Sequence, residues 1–141
     1  MPELFPYGKR HQYPGLKPAD QAIWERFLTE FPMAYDSVQY NLNCGEGAQG
    51  FSHEDPSMQM MWGKLKARKI DVTAFAGDHV DIIELKPYAG PSALGQVIGY
   101  YHLYLGYVDP HADARPVIVT NAMMPDMPYL SARMGVRVIV V

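Results

Sequence analysis

Only one cysteine, Cys44, occurs among the 141 residues, which excludes an intramolecular disulfide and any multi-cysteine metal cage and suits a reducing compartment. Long apolar runs are also missing. Nowhere do 18 uncharged apolar residues follow one another, and the nearest approach, residues 95–108, contains His102, four tyrosines and three glycines. No membrane partner is expected. The first ten residues hold two prolines and no apolar stretch of the kind a secretion signal needs. Charge of one sign is lacking too: 12 basic against 15 acidic residues leave a formal net charge of −3 and a pI near 5.9. No general positive field exists to hold a polyanion, so any such contact must be local. What is present is an ordinary globular balance, 48% hydrophobic and 19% charged, in a length that suits one compact domain.

Residues 1–19, with four prolines and two glycines, are expected to lack regular structure and to form an extended N-terminal arm; residues 20–141 are expected to form the domain. From Asp20, read as an N-cap, apolar residues at Ile23, Trp24, Phe27 and Leu28 mark one face of a helix ending near Pro32. A strand is expected within 33–43, a loop over 44–57 and a Met-rich segment over 58–62. Residues 68–76 and 79–86 read as two strands joined by Gly77-Asp78, a dipeptide suited to a two-residue hairpin turn. Pro87 and Gly90 are expected to break the chain. Leu94, Val97, Ile98, Tyr101, Leu105 and Val108 then recur with helical period. A short strand over 117–120, a short helix within 125–134 and a strand from Val136 close an α-β-β-β-α-β-α-β order, an α/β domain with a mixed central sheet flanked by helices.

If Gly77 and Asp78 are the turn, Ala76 pairs with His79, and stepping away along both strands brings Asp71 opposite Glu84. Directly opposed residues share a sheet face with Cβ atoms about 4.5–5.5 Å apart. Lys86 lies two residues beyond Glu84 and returns to that face. Oxygen ligands so placed suit a hard divalent ion such as Mg²⁺ or Mn²⁺, which takes one or two carboxylates, keeps waters and accepts phosphate oxygens. The alternative is a solvated face on which the three charges merely offset one another. Against it, Asp71 and Glu84 interrupt apolar strands (Ile70, Val72, Ala74; Ile82, Ile83, Leu85), where paired acids are costly without a ligand.

Asp71, then Glu84-Leu-Lys86, then Gln96-Val-Ile-Gly-Tyr100 resembles the PD-(D/E)XK nuclease superfamily, and the Gln-xxx-Tyr element resembles its RecB-like branch. The resemblance covers roughly residues 20–141 and implies a restriction-endonuclease-like core and metal-dependent hydrolysis of DNA phosphodiesters. Carried across, Asp71 and Glu84 would be metal ligands with the main-chain carbonyl of Leu85, and Lys86 the water-activating or phosphate-facing group. Gln96 and Tyr100 would line the same site. In some members the first helix supplies another acid, here Glu25 or Glu30. Ile70 stands where the name-giving proline would be, and no DNA-binding insertion is evident.

The segment from Trp24 through Asp36, the Glu84–Gln96 stretch and the Val-rich C-terminus also resemble small tailed-phage proteins of this fold. That resemblance implies a second function: a non-catalytic structural or adaptor protein of a virion (head-tail connector, neck or tail assembly), oligomeric or in a hetero-complex. The expected location is the cytoplasm of a bacterial host or the virion. Lys64, Lys66, Arg68 and Lys69 place four cations just upstream of Asp71, either a phosphate-contacting edge or a solvated strand entry. Gly95 and Gly99, each costing about 1 kcal/mol against Ala in a helix, suggest close packing on the sheet.

Overall fold

The computed structural model describes residues 3–45 and 69–141. The 44–57 loop beyond Gly45, the Met58–Trp62 segment and Lys64, Lys66 and Arg68 lie outside them.

The centre of the fold is the hairpin. β3 (Lys69–Ala76) and β4 (His79–Ala89) are antiparallel, and Ala76 pairs with His79 across Gly77 and Asp78. Gly77, at φ 55°, supplies the left-handed conformation such a turn needs without a Cβ penalty. The pairs run back to Val72–Ile83, which is the register expected from the turn. β4 does not stop at Pro87 but continues to Ala89. The ladder to β3 has already ended at Val72–Ile83, so at Pro87 no ladder bond to β3 is lost.

Six strands form one sheet in the order β1-β2-β3-β4-β5-β6, with β1 (Leu4–Pro6), β2 (Ser37–Asn43), β5 (Asp113–Met123) and β6 (Arg137–Val140) completing it. The first four are mutually antiparallel; β4-β5 and β5-β6 are parallel. Each parallel pair requires a crossover, supplied by α2 (Pro91–Tyr107) and α3 (Met127–Met134). The sheet is therefore mixed and open, flanked by helices, as the strand and helix order of the sequence indicates. β5 is longer than the 117–120 run because it includes Pro116, which pairs with Ile82; β6 begins only opposite Val117, so at Pro116 the strand is still an edge.

α1 (Pro18–Glu30) buries Ile23, Trp24, Phe27 and Leu28 against Val38, Tyr40, Val72, Ala74, Ile83 and Leu85. Trp24 stacks on Phe27 with ring centroids 5.1 Å apart and donates its Nε1–H to the Tyr40 hydroxyl at 3.0 Å, so its indole is packed and satisfied. On the other face, Ala93, Leu94 and Val97 of α2 and Met127 of α3 pack on Ile118, while Tyr104 packs with Val80 and Ile82. Cys44 is buried in this second layer.

Two expectations fail. Residues 1–19 are not without regular structure: Leu4–Pro6 adds the edge strand β1, paired Phe5 to Val38, and Tyr13 and Leu16 are buried in the core. Aromatic side chains scattered among prolines find a groove that local pattern does not encode. Among the described residues, Gly95 and Gly99 are not close-packing points either, since a Cβ at either would meet no atom of another element within 4 Å.

Candidate functional site

Where β3 parts from β4, the sheet opens. The β2–β3 pairs are Tyr40–Val72 and Leu42–Ile70, with Asn41 and Asp71 unpaired between them, and the β3–β4 ladder ends at Val72–Ile83. Asn41 sits at φ 59°, a left-handed conformation that Asn tolerates better than most residues. The alternation slips there: Tyr40 and Val72 join the α1 layer, whereas Leu42 and Ile70 join the layer under α2. Asp71 fills the opening. Its Oδ2 accepts the main-chain N–H of Leu85 at 2.9 Å, in place of a strand-to-strand bond.

The opening is the floor of a cleft of about 470 Å³ lined by Gly15, Lys17, Asp20, Asn41, Lys69, Asp71, Glu84, Leu85, Lys86, Gln96 and Tyr100 among others. All the residues singled out from the Asp71, Glu84-Leu-Lys86 and Gln96-xxx-Tyr100 elements meet here, although they come from two strands and a helix. Lys69 is the one member of the upstream basic run within the described residues, and it lines the cleft. Glu25 and Glu30 do not. They face a separate surface groove, and Glu25 accepts a hydrogen bond from the Tyr13 hydroxyl at 3.2 Å.

α1 contributes Asp20 instead. Pro18 occupies the start of the helix, so Asp20 is not the N-cap but lies in the first turn, and the preceding Lys17 is the cap position. A proline at that position was the available signal, since it favours a helix starting there. Gly15 and Asn41 carried no local signal. Gly15 has φ 77°, and a Cβ on it would lie 2.3 Å from Asn41 Cγ, so the segment before α1 and strand β2 interlock only with glycine at this point.

The electrostatics follow from crowding. Burial pushes the Asp71 carboxyl well above its ordinary range, opposed by the Leu85 N–H and reinforced by Asp20. Glu84 is driven further up, first by burial, then by the charges of Asp71 and Asp20; Lys86 acts in the other direction. Asp20 is raised by burial and eased by Lys17 and Lys86. Three acids and two amines thus feel one another in one cleft, with the carboxylates under-compensated.

Among the described residues no group of three His, Cys, Asp or Glu side chains is close enough to cage an ion. That excludes an all-protein zinc-type or calcium-type cage there. Two carboxylates on adjoining strands, with a strand carbonyl between, form the sparser donor set that Mg²⁺ accepts while keeping its waters. The residues therefore fit such an ion.

No family model matches the chain, and none of the curated proteins matches its sequence. Among solved structures, that of EndoMS in complex with double-stranded DNA aligns with 94% of this chain and 49% of its own, at 14% identity and a TM-score of 0.52. The crystal structure of a repair endonuclease from Pyrococcus abyssi aligns with 64% of this chain and 49% of that one, at 14% identity and a TM-score of 0.46. This chain spans about half the length of each, 49%. At 14% identity the likeness to EndoMS establishes architecture alone: this chain has the mixed, open α/β sheet of a nuclease-fold protein.

Proposed function

We propose that the chain is a Mg²⁺-dependent deoxyribonuclease of the PD-(D/E)XK type, with its centre at Asp71, Glu84 and Lys86. The observation that carries this reading is a pair of buried carboxylates, Glu84 raised further by the charge of Asp71, at an opening in the sheet, beside an amine, in a cleft. Such an arrangement costs stability as an apo structure and gains from a divalent cation. The DNA in the EndoMS complex supports nucleic acid as the substrate class.

Asp71 and Glu84 would hold the ion, and the Leu85 carbonyl leaves β4 on the same side as the N–H that Asp71 accepts, so it can serve as a further ligand. When bound, Mg²⁺ (or Mn²⁺) supplies Lewis-acid polarisation of the phosphate and a more acidic water. Lys86 orients the attacking water or takes part in its deprotonation, and offsets charge on the phosphate. Gln96 and Tyr100, one helical turn apart on α2, form the facing wall and position the phosphate and Lys86. Lys69, which lines the cleft, would supply a phosphate contact, and Lys64, Lys66 and Arg68, which precede it in the sequence, are proposed to add to that role. The reading is tested by incubating the protein with linear, circular and single-stranded DNA in Mg²⁺ or Mn²⁺. Hydrolysis by the wild type and its loss in Glu84→Ala and Lys86→Ala are expected; undiminished cutting by both variants would exclude this centre.

A second reading, a virion adaptor on a nuclease scaffold that binds other virion proteins or copies of itself, draws on the exposed apolar side chains of Met124, Tyr129 and Met134 at the α3 end. A protein that hydrolyses no DNA but forms a ring or stable hetero-complex in light scattering would favour it.

A further inference from the structure

Three of the twelve basic residues but one of the fifteen acids, Glu3, fall within residues 1–19, so a net-negative chain carries a positive N-terminal segment. The segment from Lys9 to Lys17 is seated on the fold as a strap. Tyr13 is buried and donates its hydroxyl to Glu25, Leu16 is buried, and Gly15 locks against the Asn41 side chain. Leu16 N–H bonds to the Tyr13 carbonyl, and the Gln21 amide ties the Leu16 carbonyl to α1. These anchors all point inward, and the cations point outward.

At one end Lys17 lines the cleft beside Asp20 and Lys86. At the other, Lys9, Arg10, His11 and Gln12 surround a shallow groove of about 430 Å³. Arg10 is held there: its guanidinium carbon lies 3.9 Å from the centroid of the Phe5 ring, and its main-chain N–H bonds to the Tyr13 hydroxyl at 3.0 Å. A guanidinium stacked on an aromatic face keeps its outer N–H edge for a planar anion. Among the described residues, neither Lys9, Arg10 nor Lys17 takes part in a salt bridge. Three cations on an anchored segment, none neutralised by such a partner, form the electrostatic footprint of a phosphate backbone.

We propose that this strap is a phosphate-contacting surface that guides duplex DNA away from the Asp71–Glu84 cleft, with Lys17 near the scissile phosphate and Lys9 and Arg10 farther along the strand. The proposal rests on the nuclease reading for its choice of polyanion. Lys17 lies seven Cα steps beyond Arg10, a reach of at most about 25 Å. That corresponds to about seven base-pair rises of roughly 3.4 Å.

The test separates binding from hydrolysis. Binding of a labelled 30-base-pair duplex is measured across a salt series for Glu84→Gln and for the same protein carrying Lys9→Gln and Arg10→Gln. Loss of two phosphate contacts should lower the log–log salt slope by about 2 and weaken binding at moderate salt by about tenfold or more. Lys9→Glu alone, which leaves the Arg10–Phe5 contact in place, should weaken binding in the same direction, and an unchanged thermal midpoint verifies folding. In the Glu84-intact protein, which keeps Lys17, a small chromogenic phosphodiester that occupies only the cleft should be hydrolysed equally with and without Lys9→Gln and Arg10→Gln. Unaltered duplex affinity and salt slope in the strap variants, or no duplex binding by the parent protein, would overturn the strap proposal. A salt-dependent contribution of the strap in a protein that hydrolyses neither DNA nor the small diester would uphold the strap and overturn the nuclease reading.

Discussion

The main-chain N–H of Leu85 donates to Asp71 Oδ2 at 2.9 Å, so a side chain replaces the strand bond that the end of the β3–β4 ladder leaves unmade. The same contact fixes the direction of one carboxylate and leaves Glu84, on the adjoining strand, short of compensation. An acid pair held this way is a local instability in the fold, and its relief by a cation or by neutralisation is measurable.

Replacing Glu84 by Gln keeps the shape of the side chain and removes the cost of protonating a buried carboxylate, or of burying its charge, on folding. At neutral pH the metal-free variant should be more stable than the wild type by about 1–3 kcal/mol, the scale of relieving an uncompensated buried group. For a domain of this size that is a rise of about 2–4 °C in Tm per kcal/mol. Differential scanning calorimetry in chelator checks it, and hydrolysis by the same variant should fall by at least about a hundredfold.

The pH dependence has a definite sign. Asp71 and Glu84 are both held above their ordinary values, chiefly by burial, so the folded chain binds protons more tightly than the unfolded chain. The contribution of these two groups to stability is therefore greatest below the ordinary carboxylate range and falls as pH rises through it towards the folded-state values. Urea melts of metal-free wild type should show this decline, Asp71→Asn should show less of it, and millimolar Mg²⁺ should flatten it in the wild type alone.

Gly15 and Asn41 are predicted to be coupled. Gly15→Ala combines an unfavourable positive φ with a Cβ 2.3 Å from Asn41 Cγ, and should cost about 1–3 kcal/mol. Asn41→Gly keeps the left-handed backbone and removes the clash, so the double variant should recover part of that loss. A double-mutant cycle by chemical denaturation reads the coupling.

At the opposite end of β4, the Tyr35 hydroxyl donates to Asp81 Oδ2 at 2.5 Å, and His79 lies 3.7 Å from the same carboxylate. Tyr35→Phe leaves a buried carboxyl short of a donor and should destabilise the fold by about 1.5–3 kcal/mol. Hydrolysis measured well below the melting temperature should be unchanged, because this pair lies outside the cleft.

The hairpin was readable from Gly77-Asp78 and alternating apolar residues because its information is local, and the turn alone fixes the register at Ala76–His79. The apolar faces of α1 and α2 were readable from their period. β1 was not, since three residues ending in proline carry no pattern and pair only because Phe5 meets Val38 across the sheet edge. Asp20 was misread as the cap through a one-turn error in the helix start, and nothing local in the sequence marked the left-handed backbone of Asn41 or its approach to Gly15. What the sequence did not contain was contact between distant segments, and the walls of the cleft are made of such contacts.

The most direct test is a titration of Mn²⁺ into metal-free wild type and Asp71→Asn, followed by calorimetry or by the electron-spin signal of the free ion. The account requires binding at the cleft in the wild type, with proton release as Glu84 ionises, and a loss of affinity of at least about tenfold in Asp71→Asn. Equal Mn²⁺ affinity in the two proteins, or no binding by the wild type even with DNA present, would contradict it.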